Sequence, residues 1–199
     1  MTGLVALGAL TLSACGGTSS SSSTTTSVAR PSAPSSSVTA APDTNTPGDI
    51  PDTIAYVTYT NAAGGYMFDH PEGWAQTEQG TSVTFTDRYN GVTVNVTPTS
   101  GPPTVSSAQA GDVPALRASQ PAFELRSVAA STLPAGPGVL VVYRRNSPPD
   151  PVTGRSARVE VQRYEIFGHG HTVALELFGA VGADNVDPYR RMSESLRLS

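Results

Sequence analysis

The sequence predicts one α+β domain, a six- or seven-stranded antiparallel sheet flanked by helices, preceded by a disordered tether. Three observations predict it. From Gly16 to about Asp49 the chain is mostly Ser, Thr, Pro and Ala. Such a stretch has almost no large apolar side chains to offset the entropy of ordering. From Thr53 to Ser199 the chain instead carries alternating β-branched and aromatic segments punctuated by turn residues. Helical spacing interrupts those segments only once in the middle and once at the end, the order expected of an antiparallel sheet with helices on its faces.

Taken in order, Ile54 to Thr60 reads as a strand and Asn61 to Gly65 as a turn. Tyr66-Met67-Phe68 is a second short strand, and Asp69 to Trp74 a turn ending on the only tryptophan. Val83 to Thr86 and Val92 to Thr97 alternate, with Val92, Val94 and Val96 on one face. Asn90-Gly91 between them is a hairpin signal, in a loop expected to exceed two residues. Ser106 to Ser119 is helical in outline. Gly111 and Pro114 interrupt it, so a short helix is expected after Asp112, with Val113 and Leu116 inward.

Phe123 to Val128 follows as a strand and Leu133 to Gly138 as a turn. Val139 to Tyr143 is apolar on both parities, the mark of a strand buried on both faces. Asn146 to Gly154 is a Pro-rich loop. Ala157 to Phe167 is a long strand whose apolar phase slips between Val161 and Tyr164; a β-bulge near Gln162-Arg163 or burial on both faces would explain it. Gly168 to His171 turns a hairpin into Thr172 to Phe178. Asp187 as N-cap and Pro188 at the first helical position open a last helix, with Tyr189, Met192 and Leu196 on one face and Arg190 paired to Glu194.

The chain before the domain carries an address. Leu4 to Leu12 is a short apolar run, too short to span a bilayer and suited to the h-region of a signal peptide. Met1-Thr2-Gly3 lacks a basic residue, which leaves open a true start upstream. Leu12-Ser13-Ala14-Cys15 resembles the bacterial lipobox, whose cysteine receives a diacylglyceryl group; a chance cysteine in an ordinary signal peptide is the alternative. The expected division is a signal peptide over 1–14, a lipidated Cys15 with its linker over 15–52, and a globular domain over 53–199. Two or more acyl chains, palmitate among them, anchor stably where one does not. As a flexible coil the linker would reach about 30–35 Å. Ser/Thr-rich runs with Pro also suit O-glycosylated stalks, with plain linker as the other reading.

Composition limits the function classes. All 12 basic residues are arginine and the formal net charge is −4, against nucleic acid or a polybasic membrane patch as partner. One cysteine excludes an intrachain disulfide and a cysteine-based zinc cluster. The Gly, Pro and Ala content and the missing lysine suit a GC-rich genome such as an actinomycete's.

A strand, then Tyr66-Met67-Phe68, then Asp69 to Trp74 resembles the F-x-x-Pro-x-x-Trp opening of PsbP/Mog1-like domains. Actinobacterial lipoproteins of the LpqN/LpqT type are similar in layout: signal, tether, domain. The resemblance implies a six- or seven-stranded sheet between helices, closing on a helix like Asn185–Leu198. It also implies a non-enzymatic accessory or binding module, with no catalytic residues and no cofactor to carry over.

Candidate chemistry is sparse. His169 and His171 could grip a metal if they shared a strand face, but at a hairpin tip without a third ligand they read as turn residues. Asp69-His70 would point to opposite faces of a strand, so a structural role is expected. Trp74 reads as core or pocket wall. Arg144, Arg145, Asp150 and Tyr189, with Trp74, are the candidate partner or ligand surface, because a Pro-stiffened loop presents residues at low entropic cost. The expected function is an envelope lipoprotein on the extracytoplasmic face of the membrane that binds a protein partner. A carrier or sensor of a small apolar ligand held between sheet and helix is the alternative. An enzyme ranks third.

Overall fold

A computed structural model describes residues 48–150 and 152–199. Cys15, Leu12 to Ala14 and the predicted tether up to residue 47 lie outside them.

The first two strands, β1 (Tyr56–Asn61) and β2 (Tyr66–Pro71), form a hairpin. The main sheet holds β3 (Ala75–Gln79), β4 (Ser82–Asp87), β5 (Asn90–Pro98), β6 (Glu124–Leu133), β7 (Gly136–Asn146), β8 (Arg158–Gly168) and β9 (His171–Ala180). Their order across the sheet is β3-β4-β5-β9-β8-β7-β6, antiparallel throughout. Between β5 and β6 run α1 (Val105–Ser107), a π-helical turn (Ala108–Asp112) and α2 (Val113–Ser119). After β9 come α3 (Val186–Ser195) and β10 (Arg197–Leu198), which pairs with β2 in the small sheet.

Strand alternation gives the main sheet two inward faces. On one, Val83, Phe85, Val92, Val94, Ile166, Leu175 and Leu177 meet Tyr66, Phe68, Trp74, Tyr189, Met192 and Leu196. This face is covered by the small sheet and α3 together, where the sequence suggested helices alone. On the other face, Val139, Val141, Tyr143, Val159 and Val161 lie under Ala108, Val113 and Leu116. Each fully buried side chain of this kind contributes about 1.5–3 kcal/mol before entropy is charged. The expected α+β architecture is present, including Val113 and Leu116 inward, Tyr189 and Met192 buried on α3, and Leu196 buried just past its end.

Several local expectations are corrected. The phase slip in β8 is not a bulge: its pairs with β7 and β9 run without interruption, so both faces are buried. The irregularity lies in β6, between Leu125 and Ser127. Asn90-Gly91 is not the hairpin turn, because Asp87 pairs Asn90 and the turn is Arg88-Tyr89. Gly91 instead lets β5 pass beneath Phe178, whose ring stands 2.2 Å from where a Cβ would be.

The short helix expected after Asp112 is α2, but helical backbone already begins ahead of it, at Val105. The π-helical turn, closed by Val113 N–H donating to the Ala108 carbonyl, widens the coil ahead of Pro114. Asn185, not Asp187, precedes α3, and Asp187 pairs with Arg190 at 2.7 Å in place of the expected Arg190–Glu194 contact. The helix ends at Ser195, short of Leu198. β2 continues through His70 to Pro71 where a turn was expected.

Candidate functional site

The sheet's second face is covered only in part. The helical segment packs on residues of β7 and β8. Beyond it, toward β4 and β5, lies a groove of about 550 Å³. Thr84 and Thr86 of β4, Thr93 of β5 and Phe178 of β9 make its floor, on the same face by register. The Arg88-Tyr89 turn forms one wall, and Pro148, Pro149 and Asp150 of the β7–β8 loop form the other.

That second wall is braced internally. Ser147 N–H donates to the Ala157 carbonyl at 2.8 Å, and Ala157 N–H to Ser147 Oγ at 2.9 Å. Asp150 Oδ1 accepts from the Thr153 and Val152 amides at 2.7 and 3.1 Å and from the Thr153 hydroxyl at 2.9 Å. These bonds, led by the Thr153 amide, hold its carboxyl below the usual range. Tyr89 is 38% exposed, a large ring left at a groove rim.

Of the five candidate surface residues, Arg145 and Asp150 meet in this groove. The Arg145 guanidinium carbon stands 5.1 Å from the Phe178 ring centre. Arg144 leaves β7 on the opposite face, as neighbouring strand residues must. It pairs with Glu160 at 2.9 Å and shares a small cleft of about 160 Å³ with Tyr189. Burial pushes the Tyr189 phenol above its ordinary range. Trp74 belongs to the packed core.

His169 occupies the β8–β9 turn at φ 52°, and His171 Nδ1 lies 2.9 Å from the His169 carbonyl. Both border a cleft of about 330 Å³ beside the β1–β2 turn and Leu198. Among the described residues no three His, Cys, Asp or Glu side chains converge as a metal site. His70 stacks on Phe85 with ring centres 3.7 Å apart, and burial lowers its pKa.

Sequence reasoning missed a buried ionic cluster on the same sheet face. Arg163 of β8 donates to Glu165 Oε1 and to Glu176 Oε1, both at 2.6 Å. Tyr143 donates its hydroxyl to Glu176 Oε1 at 3.3 Å. Burial raises the Glu165 pKa, with Arg163 pulling against it. The carboxyl of Asp112, at the end of the π-helical turn, also acts on Glu165 in the direction of a raised pKa. Burial works to lower that of Arg163, but the carboxylates of Glu176 and Glu165 override it, so it rises. Part of the signal was in the sequence: Glu165 lies in a strand for which burial on both faces is one reading, whereas Glu176 lies in a strand that reads as apolar on one face. Asp112, Arg163 and Glu165 line a cleft of about 390 Å³.

Fold and groove together define an α+β domain on a seven-stranded antiparallel sheet with an open, mostly apolar surface groove. No protein-family model matches the chain, and no curated protein matches it. Among solved structures it is similar to cyanobacterial PsbP (CyanoP) from Synechocystis, at 16% identity over 73% of this chain and 94% of that one, with a TM-score of 0.47. It is similar also to the Saccharomyces cerevisiae Ran-binding protein Mog1p, at 8% identity over 73% and 96%, with a TM-score of 0.47. A Bacteroides thetaiotaomicron protein follows at 8% identity and a TM-score of 0.41, with 71% of this chain covering 48% of that one.

Proposed function

We propose that this protein is a cell-envelope lipoprotein of the actinobacterial LpqN/LpqT type, anchored through acylated Cys15 on the extracytoplasmic face of the membrane. Its domain is a non-catalytic binding module for an envelope protein partner. The groove between the Arg88-Tyr89 turn and the Pro148-Pro149 loop carries this reading. A braced loop, an exposed aromatic rim and a floor of Phe178 and threonines open to solvent are what a rigid docking surface needs. The carrier alternative requires room between sheet and helix near Trp74 and Tyr189. That space is filled by Phe68, Phe85, Trp74, Tyr189 and Met192.

Two measurements test the reading. Cys15→Ala is expected to release the protein from membranes; a variant that still sediments with them removes the anchor. A photo-crosslinking residue at Pro149 is expected to capture one protein partner in native membranes. The same residue at Val57, exposed on β1 away from the groove, is expected to capture none. Equal labelling from both positions argues against the groove as docking surface.

A further inference from the structure

We infer that the groove receives an acidic peptide segment, an apolar side chain seating against Phe178 and Tyr89 while the neighbouring carboxylate meets Arg145, with Arg88 as second cation. This rests on the partner-module reading and adds the chemistry of what is bound.

The charge pattern argues it. Among the described residues Arg145 has no carboxylate within ion-pair distance, and its buried Nε has no hydrogen-bond partner. Its one hydrogen bond is a 3.3 Å donation to the Asn146 carbonyl. Arg144, one residue earlier, is paired at 2.9 Å, and Arg163 is paired twice at 2.6 Å. A half-buried guanidinium that rests against the Phe178 ring without a carboxylate, in a chain of net charge −4, is placed to attract an anion. Asp150, among the described residues the one carboxylate lining the groove, is committed to Val152 and Thr153. Arg88 is held on the rim at φ 54°, a left-handed conformation that favours glycine. Among the described residues, two arginines without carboxylate partners therefore line the same groove as the Phe178 and Tyr89 rings.

Openness decides between a peptide and a small anionic amphiphile. Pockets for small ligands enclose about 70–90% of the ligand surface. This groove is walled on two sides and open on a third, the geometry that covers one side of an extended chain. Thr84 and Thr93 spend hydroxyls on each other at 3.0 Å and keep further lone pairs for a peptide backbone.

The test titrates the full-length protein in detergent with two capped hexapeptides, Gly-Leu-Phe-Glu-Glu-Gly and its Gln-Gln counterpart, followed by calorimetry and by amide shifts of Tyr89 and Arg145. The acidic peptide is expected to bind at least about tenfold more tightly, the ratio one charge-assisted hydrogen bond supplies. Its affinity is expected to fall with added salt. Arg145→Met, which keeps the apolar stem, and Arg88→Gln are each expected to weaken it, the first about tenfold. Should Arg145→Met melt out, Arg88→Gln and the peptide ratio carry the test alone. Equal affinity for both peptides, no binding at millimolar concentration, or octanoate competing at the same shifts while the peptide does not, overturns the inference. If crosslinking from Pro149 persists unchanged in Arg145→Met, the partner module stands and only the acidic-segment inference falls.

Discussion

Arg163 shows how much one buried charge can decide. Among the described residues it is the single cation paired with Glu165 and Glu176, so its loss leaves two buried carboxylates without it. Arg163→Ala is expected to destabilise by about 3–5 kcal/mol, read from urea melts. A cost below about 1 kcal/mol would show the cluster to be dispensable. Glu165 sets a pH dependence of the opposite kind. Burial raises its folded pKa above the unfolded value, so the stability tied to its proton is whole below the unfolded value and is lost as pH rises through the folded one. Glu165→Gln keeps the shape and drops the titration. Its melting temperature relative to the parent should therefore climb from acidic toward neutral pH. A gap independent of pH would mean that Glu165 is not shifted in the folded state. His70 works in the reverse sense. Its lowered pKa makes the fold lose stability as pH falls below the ordinary histidine range, a loss that His70→Phe should relieve.

At the scale of elements, close strand approaches govern what the chain tolerates. Gly138 of β7 faces Glu165 of β8 with only 2.1 Å between the place of a Cβ and a backbone carbonyl oxygen. A carbonyl cannot swing aside as a side chain can, so Gly138→Ala is expected to cost about 1–3 kcal/mol and to raise amide exchange along β7–β8. Gly91→Ala meets only the movable ring end of Phe178. It should fold, yet lift that ring into the groove and weaken peptide binding. Wild-type affinity in Gly91→Ala would show that Phe178 is not part of the floor.

The same elements show what the sequence made legible. The strands read from alternation are present because Val92, Val94, Leu175 and Leu177 each had a face to fill. β3 left no trace because all five of its residues are exposed, and only the ladder to β4 makes it a strand. Pro137 and Gly138 looked like turn residues, but sit in β7 because β6 and β7 are joined by Pro134-Ala135 alone. Arg145 and Asp150 were identifiable from a stiff loop beside charges. Phe178, Tyr89 and Thr93 were not, since only the pairing of β9 with β5 brings them to one groove.

For the whole domain, Asn185 fastens the start of the described chain, alongside the Asp184 amide that donates to Asp49 Oδ1 at 2.8 Å and the buried Ile50 side chain. Asn185 Oδ1 accepts from the Ile50 amide at 2.7 Å, while its Nδ2 donates to the Gly48 carbonyl at 3.2 Å and to Asn90 Oδ1 at 3.1 Å. Asn185 is 4% exposed, and this commitment explains why it makes no side-chain cap on α3. It joins the residues preceding β1, the β4–β5 turn that walls the groove, and the first turn of α3. A pull on the preceding chain therefore reaches the Arg88-Tyr89 wall through Asn90 within two hydrogen bonds. Asn185→Ala leaves the Ile50 amide buried without an acceptor and is expected to cost about 1–3 kcal/mol. Exchange at Ile50 should rise, together with mobility at Tyr89. If Ile50 exchanges faster in Asn185→Ala while Tyr89 is unaffected, the fastening is local and the groove wall is held by its own turn.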